Sequence, residues 1–423
     1  MNRAARFATT RTLSSLRSRN YRLYFAAQVV SNVGTWMHLT ALSWLILELT
    51  GSPLAVGLLV FCRTIPHTAL GLVSGVIADR VDNRRLVIGT TAVIMLTVAL
   101  LAALLFAGDV EAWQVYVLTA AASTAGAFAL PSRHAFVVQM VGRDTLPNAV
   151  ALNSAVQNGA RAIGPAVAGV LIATVGVSWC FAVNAISFLP VLAALLAMRE
   201  RELVRPERRE RPTIGRGIRE GLAYARGDAR VAISLAMIVV VGLLGSNFHV
   251  LLPVLASDRF DTGPGMFGLI FSLFGIGALV GSVAQASAAR TSYGRMVAAC
   301  MGFSAAFLLL VPVSALAVAA PLVVAAGACF TIWTASNQAL LQLAAPDHLR
   351  GRVISLYLFA FTGIAPFGAL LSGWLAELGG ARLALAVAGA SGVVASVGAW
   401  ILLHRRFGRA WPETERAQVA SGV

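Results

Sequence analysis

The stretch RRLVIGTTAVIMLTVALLAALLFA, residues 84–107, places two arginines directly before 22 residues that carry no charge. A helix needs about 20 apolar residues to cross a hydrocarbon core about 30 Å thick. Residues 86–107 therefore predict one membrane crossing. The arginines before them predict that this end of the helix faces the cytoplasm.

The same pattern recurs along the whole chain, with short polar links between apolar stretches of similar length. Twelve such stretches cover residues 22–49, 53–78, 86–107, 112–138, 148–175, 178–199, 229–256, 264–288, 296–315, 319–344, 351–378 and 381–404. The longest polar interval divides them six and six. We therefore predict an all-α integral membrane protein with twelve transmembrane helices in two six-helix bundles.

The polar segments predict how the chain is organised. A cytoplasmic N-terminal segment (1–21), a first bundle (22–199), a cytoplasmic linker (200–228), a second bundle (229–404) and a cytoplasmic tail (405–423) follow one another. Pro206 and Pro212 interrupt any continuous helix in the linker. The N-terminal segment is not expected to be a signal peptide, because the apolar stretch behind it is too long for one.

Positive charge is concentrated in alternate links. The net charge is +15, and all 33 basic residues are arginine. If the N-terminus is cytoplasmic, 28 arginines lie in cytoplasmic segments, two (Arg259 and Arg382) lie in external links, and three lie within helices. This asymmetry predicts that both termini are cytoplasmic. It also explains the basic composition without nucleic acid as a partner.

The two halves of the chain repeat each other in part. Four residues of the first half recur 211 positions later as the same residue types: Gly34, His38, Pro53 and Gly57 match Gly245, His249, Pro264 and Gly268. Further along the offset is 204, at which Gly164 and Gly169 match Gly368 and Gly373. The shared order predicts a parallel duplication with a substrate pathway between the two bundles.

The link between the second and third stretches reads GVIADRVDNRR, residues 75–85. It resembles the loop signature of the major facilitator superfamily, in which a glycine permits close helix approach and an aspartate followed by basic residues locks one state. Asp82 stands where the signature has glycine. The counterpart of Asp79-Arg80 in the second half is Gln285-Ala286, so the resemblance implies an asymmetric lock.

The fifth stretch contains GARAIGPAVAG, residues 159–169, which resembles the motif of antiporter members of the superfamily. Small residues at this spacing let two helices approach closely, and a proline bends the helix. With LPNA at 146–149 and LRGRV at 349–353, the pattern most resembles the exporter branch that contains the enterobactin exporter and macrolide efflux proteins. The resemblance implies export across a bacterial inner (plasma) membrane, driven by inward proton movement. The candidate gating residues are Gly75, Asp79, Arg80, Arg84, Arg133, Gly164 and Pro165.

Polar side chains inside the predicted helices are candidates for substrate contact. An arginine near a helix centre costs about 2.5–3.5 kcal/mol on insertion scales, so it needs a partner or a wet cavity. Arg161 shares a helix face with Asn153 and Gln157. The candidate substrate-binding residues are Asn32, Trp36, Arg63, Asn153, Gln157, Arg161, Trp333 and Asn337. Two alternatives stay open: hydrogen bonds between helices for the amides, and packing for a tryptophan.

A proton-coupled exporter needs a group that titrates as the cavity changes access. Carboxylates are scarce at mid-membrane, and histidine, with an ordinary pKa of about 6.5, suits this task. The candidates are His67, His38, His249, Asp79, Glu48 and Glu377. For each histidine, a structural role in the core is the competing interpretation.

Other function classes find less support in the sequence. It contains no GxxxxGK[ST], HExxH or GxSxG motif, so we expect neither ATP use nor catalysis. The four cysteines lie in predicted helices without CxxC spacing, so no metal or other cofactor is expected. An uptake symporter or facilitator, or a lipid flippase of the same fold, remains an alternative; a membrane-embedded enzyme or receptor is the weakest one. We expect a monomer whose partners are a small-molecule substrate, protons and membrane lipid.

Overall fold

In the computed structural model the described residues are 14–204, 222–260, 263–288 and 291–407, without the side chains of Leu72, Asp79, Arg143, Asp347, His348 and Phe407. Much of the predicted N-terminal segment, linker and tail lies outside these ranges.

The described chain is helical almost throughout, which confirms the all-α prediction. The helices are α1 (Arg19–Thr50), α2 (Pro53–Arg80), α3 (Asn83–Ala107), α4 (Ala112–Gly142), α5 (Asp144–Val175), α6 (Val177–Leu196), α7 (Ala229–Phe260, interrupted at 245–247), α8 (Pro264–Ala286), α9 (Tyr293–Leu310), α10 (Leu316–Ala344) and Asp347–Phe407, which a break divides into α11 (347–378) and α12 (381–407). Short 3-10 turns lie at Ser14–Arg17 and Glu200–Glu202.

Ten helical stretches of the described chain are long and apolar enough to cross a membrane, with residues 349–406 counted as one stretch of 58 residues. Their outer surfaces are apolar as well: the exposed fraction is 71% for Val394 and 70% for Leu343. Large exposed apolar surfaces are uncommon on proteins that fold in water. The protein is therefore built to lie in lipid.

Glycines end or interrupt several helices. Gly142 lies between α4 and α5 with φ 73°, and Gly176 lies between α5 and α6 with φ 95°. Residues other than glycine rarely adopt such positive φ values. The sequence predicted a link over 139–147, but helix continues to both sides of Gly142, because a single residue with positive φ is enough to separate α4 from α5.

Side chains cap the starts of several helices. Ser18 accepts a hydrogen bond from the Tyr21 amide at the start of α1. Asp82 accepts from the amides of Arg84 (2.8 Å) and Arg85 (3.3 Å) at the start of α3. Ser292 caps α9 in the same way. The aspartate that departs from the loop signature is thus a helix N-cap, for which Asp is well suited.

The chain divides into two compact units. Unit 1 comprises residues 1–51, 62–209 and 262–272, and unit 2 comprises residues 52–61, 210–261 and 273–423. The first part of α2 therefore groups with the helices of the second sequence half. The first part of α8 groups with those of the first half.

One glycine pair inside each unit brings two helix backbones into contact. In unit 2, a Cβ atom on Gly57 would lie 2.7 Å from the Ala369 carbonyl oxygen and 3.2 Å from the Gly373 Cα. In unit 1, a Cβ atom on Gly268 would lie 2.7 Å from the Gly169 Cα. These positions are the repeat equivalents found in the sequence, so the same contact occurs twice.

Candidate substrate and gating sites

α1 and α5 approach closely in unit 1 where Gly164 faces Trp36. A Cβ atom on Gly164 would lie 2.5 Å from the Cβ of Trp36 and 2.9 Å from the amide nitrogen of Met37. Arg161, one turn earlier on α5, places its guanidinium carbon 5.0 Å from the centre of the Trp36 ring. This cation–π contact, called the Trp36–Arg161 pair below, joins residues that the sequence singled out separately.

The surroundings of the Trp36–Arg161 pair are polar and accessible. Both side chains are partly exposed, and Gln157, one turn earlier on α5, is exposed. The Nε of Arg161 is buried and has no hydrogen-bond partner among the described residues. Because a guanidinium is costly against lipid tails, Arg161 needs a polar partner or water at this position.

A second cluster in unit 1 surrounds Arg63 on α2. Arg63 is partly exposed and lies within electrostatic range of His38 and His67. His67 hydrogen-bonds the backbone of Arg63, and its Nε2 would lie 3.3 Å from a Cβ atom on Gly126 of α4. The His38 ring meets the edge of the Phe181 ring at 5.0 Å between centroids. One fixed positive charge thus lies near two titratable rings.

Two of the predicted substrate-binding residues form hydrogen bonds with neighbouring helical residues. Tyr21 donates its hydroxyl to the Asn153 Oδ1 over 3.2 Å, which joins α1 to α5. Asn32 donates its Nδ2 to the Gln28 carbonyl over 2.7 Å on the same helix. Both amides therefore contribute to the structure of unit 1.

Trp333 and Asn337 on α10 lie in the core of unit 2. Both are fully buried, and the Trp333 ring packs 6.1 Å from that of Phe330. Asn337 donates its Nδ2 to the Ser234 carbonyl over 3.2 Å. Neither side chain offers a surface to a ligand in this structure.

The connection between α2 and α3 carries the predicted gating loop. The side chain of Asp79 lies outside the described residues, and Arg80 is exposed. A Cβ atom on Gly75 would meet no heavy atom of the described chain within 4 Å. In this structure, therefore, Gly75 does not mark a close helix contact.

Arg84 has the most extensive interactions in this loop. Its Nε donates to the Leu195 carbonyl over 2.9 Å and its Nη2 to the Leu196 carbonyl over 3.2 Å. It also forms an ion pair with Glu200. A cation at the C-terminus of α6 stabilises the helix dipole and satisfies free carbonyls.

Arg133 on α4 donates its Nη2 to the Thr91 Oγ1 of α3 over 3.4 Å. Its Nε is buried without a hydrogen-bond partner in the described part of the chain. Arg133 therefore joins α4 to α3 in unit 1.

In unit 2 an amide network stands at the counterpart of this loop. Gln285 on α8 donates its Nε2 to the Thr291 Oγ1 over 2.8 Å. Ser336 on α10 donates its hydroxyl to the Gln285 Oε1 over 3.3 Å. A neutral amide thus joins α8 to α10 at the position equivalent to Asp79.

Acidic side chains of unit 2 meet helix N-termini near the predicted external side. The Glu377 Oε2 accepts from the Ser52 hydroxyl (2.8 Å) and the Leu54 amide (3.2 Å) at the start of α2. Asp258 accepts from the Ala381 amide (2.8 Å) at the start of α12. Asp258 was not among the candidates from the sequence, because this contact joins residues 123 positions apart and no local pattern indicates it.

The remaining coupling candidates are placed less distinctively. Glu48 is exposed near the end of α1. The His249 ring lies 4.4 Å from that of Phe248 in unit 2. The four cysteines are free, and no metal-binding cluster of His, Cys, Asp or Glu occurs within the described ranges.

Known proteins resemble this chain along nearly its full length. The family model described as "transmembrane secretion effector" matches residues 10–419. An uncharacterised MFS-type transporter, YfiS of Bacillus subtilis, is 27% identical over 404 residues, covering 90% of this chain and 94% of the relative. The staphyloferrin A transporter of Staphylococcus aureus is 24% identical over 378 residues, covering 88% and 93%. The multidrug efflux pump Tap of Mycolicibacterium fortuitum is 27% identical over 368 residues, covering 85% and 89%.

Solved structures share the fold at much lower identity. A mutant form of the nucleoside transporter NupG superposes with a TM-score of 0.74 at 11% identity, covering 91% of this chain and all of that one. Taken with the family match and the relatives, the chain belongs to the transmembrane secretion effector family of major facilitator superfamily transporters and is a membrane transporter rather than an enzyme.

Proposed function

We propose that this transporter exports a small amphipathic molecule, such as a drug, a siderophore or a related metabolite, across the bacterial plasma membrane. Transport proceeds by alternating access with proton antiport. One relative supports the outward direction, since it is a multidrug efflux pump. Another, a staphyloferrin A transporter, supports a siderophore as the cargo.

The observation that carries this proposal is the Trp36–Arg161 pair. An aromatic ring under a guanidinium, beside the exposed Gln157 amide, offers both an apolar surface and hydrogen-bond donors. A molecule that is partly apolar and partly polar matches that combination.

The proposed frame is twelve crossings in two six-helix bundles with both termini cytoplasmic. Its support is the repeated glycine contact, Gly57 with Gly373 and Gly268 with Gly169, which follows the sequence repeat. The arginine asymmetry supports the orientation.

For proton coupling we favour His67. Its ring is tied to the Arg63 backbone and lies against Gly126 of α4, so a change in its charge acts on two helices at once. His38, His249, Asp79, Glu48 and Glu377 are the alternatives, and among the carboxylates Glu377 has the most definite contacts, at the start of α2.

Transport into inverted membrane vesicles tests the proposal. Vesicles from cells that make the protein should accumulate members of a panel of amphipathic drugs and siderophores when an acidic interior is imposed. His67→Ala should bind the cargo but lose this pH-driven accumulation. Accumulation only in right-side-out vesicles would instead identify an uptake symporter, and movement of labelled phospholipid alone would identify a flippase.

Labelling of single cysteines tests the orientation. In a variant without the four native cysteines, Glu210→Cys should resist an impermeant maleimide added to intact cells, whereas Val110→Cys should react. The reverse labelling pattern would overturn the proposed topology.

A further inference from the structure

We propose that the exported molecule carries an acidic group, a carboxylate or its equivalent, and that the Trp36–Arg161 pair is where this group binds. The inference rests on the proposed function and adds to it the chemical class of the cargo.

The charges near this pair are not balanced by the protein. Neither Arg63 nor Arg161 forms an ion pair with a carboxylate in the described part of the chain. Within the predicted membrane stretches the only acidic residues are Glu48 and Glu377, close to the external ends. A buried or half-buried cation without a counter-charge is costly, and an acidic ligand would remove that cost.

The Arg161 guanidinium carries a donor that the protein leaves unpaired. A guanidinium is planar and carries five N–H donors along its edge. Its carbon lies 5.0 Å from the centre of the Trp36 ring. The Nε has no partner among the described residues although it is buried. A carboxylate can accept two parallel hydrogen bonds from such an edge.

The pair is held in place rather than free to fold away. Gly164 brings the α5 backbone against Trp36, where a Cβ atom would be 2.5 Å from the Trp36 Cβ. Arg161 lies one turn from that contact on the same helix. A ligand therefore meets a preformed site and does not have to order it, which favours binding.

The position of Arg161 near the middle of α5 favours the cargo, and not a lipid headgroup, as the source of the acidic group. Arg161 is 17 residues from the start of α5 and 14 from its end, which corresponds to about 25 Å and 21 Å along the helix. Lipid phosphates lie at the membrane surface, outside the hydrocarbon core. The site is therefore placed for a molecule that enters the transport path.

Arg63 on α2 supplies a second positive charge. It lies near His38 of α1, the helix that also carries Trp36. We expect Arg63 to strengthen the binding of an anion through long-range electrostatic attraction. Unlike Arg161, it is not part of the contact with Trp36.

Binding of a matched pair of probes tests the inference. The probes are 2-naphthoate and the neutral 2-naphthamide, which share an aromatic body and differ in charge. Equilibrium dialysis would use the purified full-length protein in phosphatidylcholine nanodiscs. We expect the wild-type protein to bind naphthoate about tenfold or more tightly than naphthamide, the factor that one charge-assisted hydrogen bond supplies.

The variants assign that preference to the site. Arg161→Gln should remove it, Arg161→Lys should keep part of it, and Arg63→Gln should weaken it. Arg226→Gln, which removes an exposed arginine outside the membrane stretches, should retain it. The Lys variant also covers the case in which Arg161→Gln fails to fold.

Three results would overturn the inference. The first is equal affinity of the wild-type protein for both probes, including no binding of either. The second is a preference for naphthoate that survives in Arg161→Gln. The third is loss of naphthoate binding when chloride or phosphatidylglycerol is added, which would assign the site to a small ion or a lipid headgroup. Vesicle transport separates this inference from the export proposal. Export of a neutral cargo that Arg161→Gln leaves intact would contradict only the inference that the cargo is acidic. Selective naphthoate binding without transport of any compound would contradict the export proposal.

Discussion

The connection between α2 and α3 and its counterpart between α8 and α9 share a plan but differ in charge. Each is followed by a capped helix, through Asp82 in the first and Ser292 in the second. In the first, Asp79 is acidic, whereas the second has Gln285 at the equivalent position, in a neutral network. Only the first connection therefore carries a carboxylate at this position.

The two connections also use their arginines differently. Arg84 reaches across to the last carbonyls of α6. Arg295 reaches back to the Ala284 carbonyl of α8, over 2.9 Å. The first arginine joins two helices that are not consecutive, while the second secures the end of the helix just before it.

Asp79→Asn should have the largest effect on transport. The resemblance to the loop signature implies that Asp79 locks one state. A neutral amide lacks the attraction of a carboxylate to a cation or a helix N-terminus, which is worth about 1.4 kcal/mol or more and corresponds to about tenfold. We expect accumulation in inverted vesicles to fall at least by that factor, with unchanged amounts of protein in the membrane.

Gln285→Ala is the matched change in the second connection and should lower accumulation much less. If both variants lose transport equally, the charge difference between the connections has no functional meaning.

Arg84→Gln should have the largest effect on stability. Two hydrogen bonds from a charged donor to the C-terminus of α6 are lost, so the free energy of unfolding should fall by about 1.5–3 kcal/mol. Arg295→Gln loses one such bond and should cost about half as much. Reversible unfolding in mixed micelles with increasing dodecyl sulfate measures both.

Two further substitutions identify the cause. The Arg85 side chain is 87% exposed, so Arg85→Gln should change stability by less than about 0.5 kcal/mol. The Glu200 side chain is 75% exposed, so Glu200→Gln should also have a small effect. A large loss in Glu200→Gln would assign the stability to the ion pair instead of the carbonyls.

Gly75 and Gly281, which lie four residues before Asp79 and Gln285 respectively, should respond differently to a methyl group. A Cβ atom on Gly281 would lie 2.4 Å from the Ala328 carbonyl oxygen, so Gly281→Ala should destabilise the protein by about 1–3 kcal/mol through overpacking. A Cβ atom on Gly75 would meet none of the described atoms within 4 Å, and Gly75→Ala should leave stability unchanged or slightly higher. A thermal unfolding series in detergent would show the contrast. Loss of transport in a stable Gly75→Ala protein would mean that Gly75 makes its close contact in another conformation.

The smallest difference should come from the two caps. Asp82→Ala and Ser292→Ala each remove an N-cap and should each cost about 1 kcal/mol. Asp82→Ser should restore most of the loss, because serine caps nearly as well. Transport should survive in Asp82→Ala. Its abolition in a protein of normal stability would make Asp82 part of the lock.

The sequence was most informative for properties that a single helix or a short motif determines. The helical class and the family follow from apolar length, alternating charge and short motifs. Pairings between distant helices were not visible. Gly164 and Trp36 were each singled out, yet their contact joins residues more than 120 positions apart, and no local pattern encodes it. Likewise, the sequence made Asn337 a substrate-binding candidate, but could not tell that its side chain is buried in the core of unit 2.

The twin glycine contacts reflect how the chain could have arisen. Each contact combines a glycine from the second helix of one sequence half with a glycine from the fifth helix of the other half: Gly57 with Gly373, and Gly268 with Gly169. In a symmetric dimer of six-helix ancestors, the two contacts would be formed by the same residues, and every mutation would change both contacts. Fusion of the two copies into one chain removes that constraint. Ala369 now lies beside Gly57, and the Pro165 carbonyl lies beside Gly268, so selection can adjust one contact while the other keeps its original form.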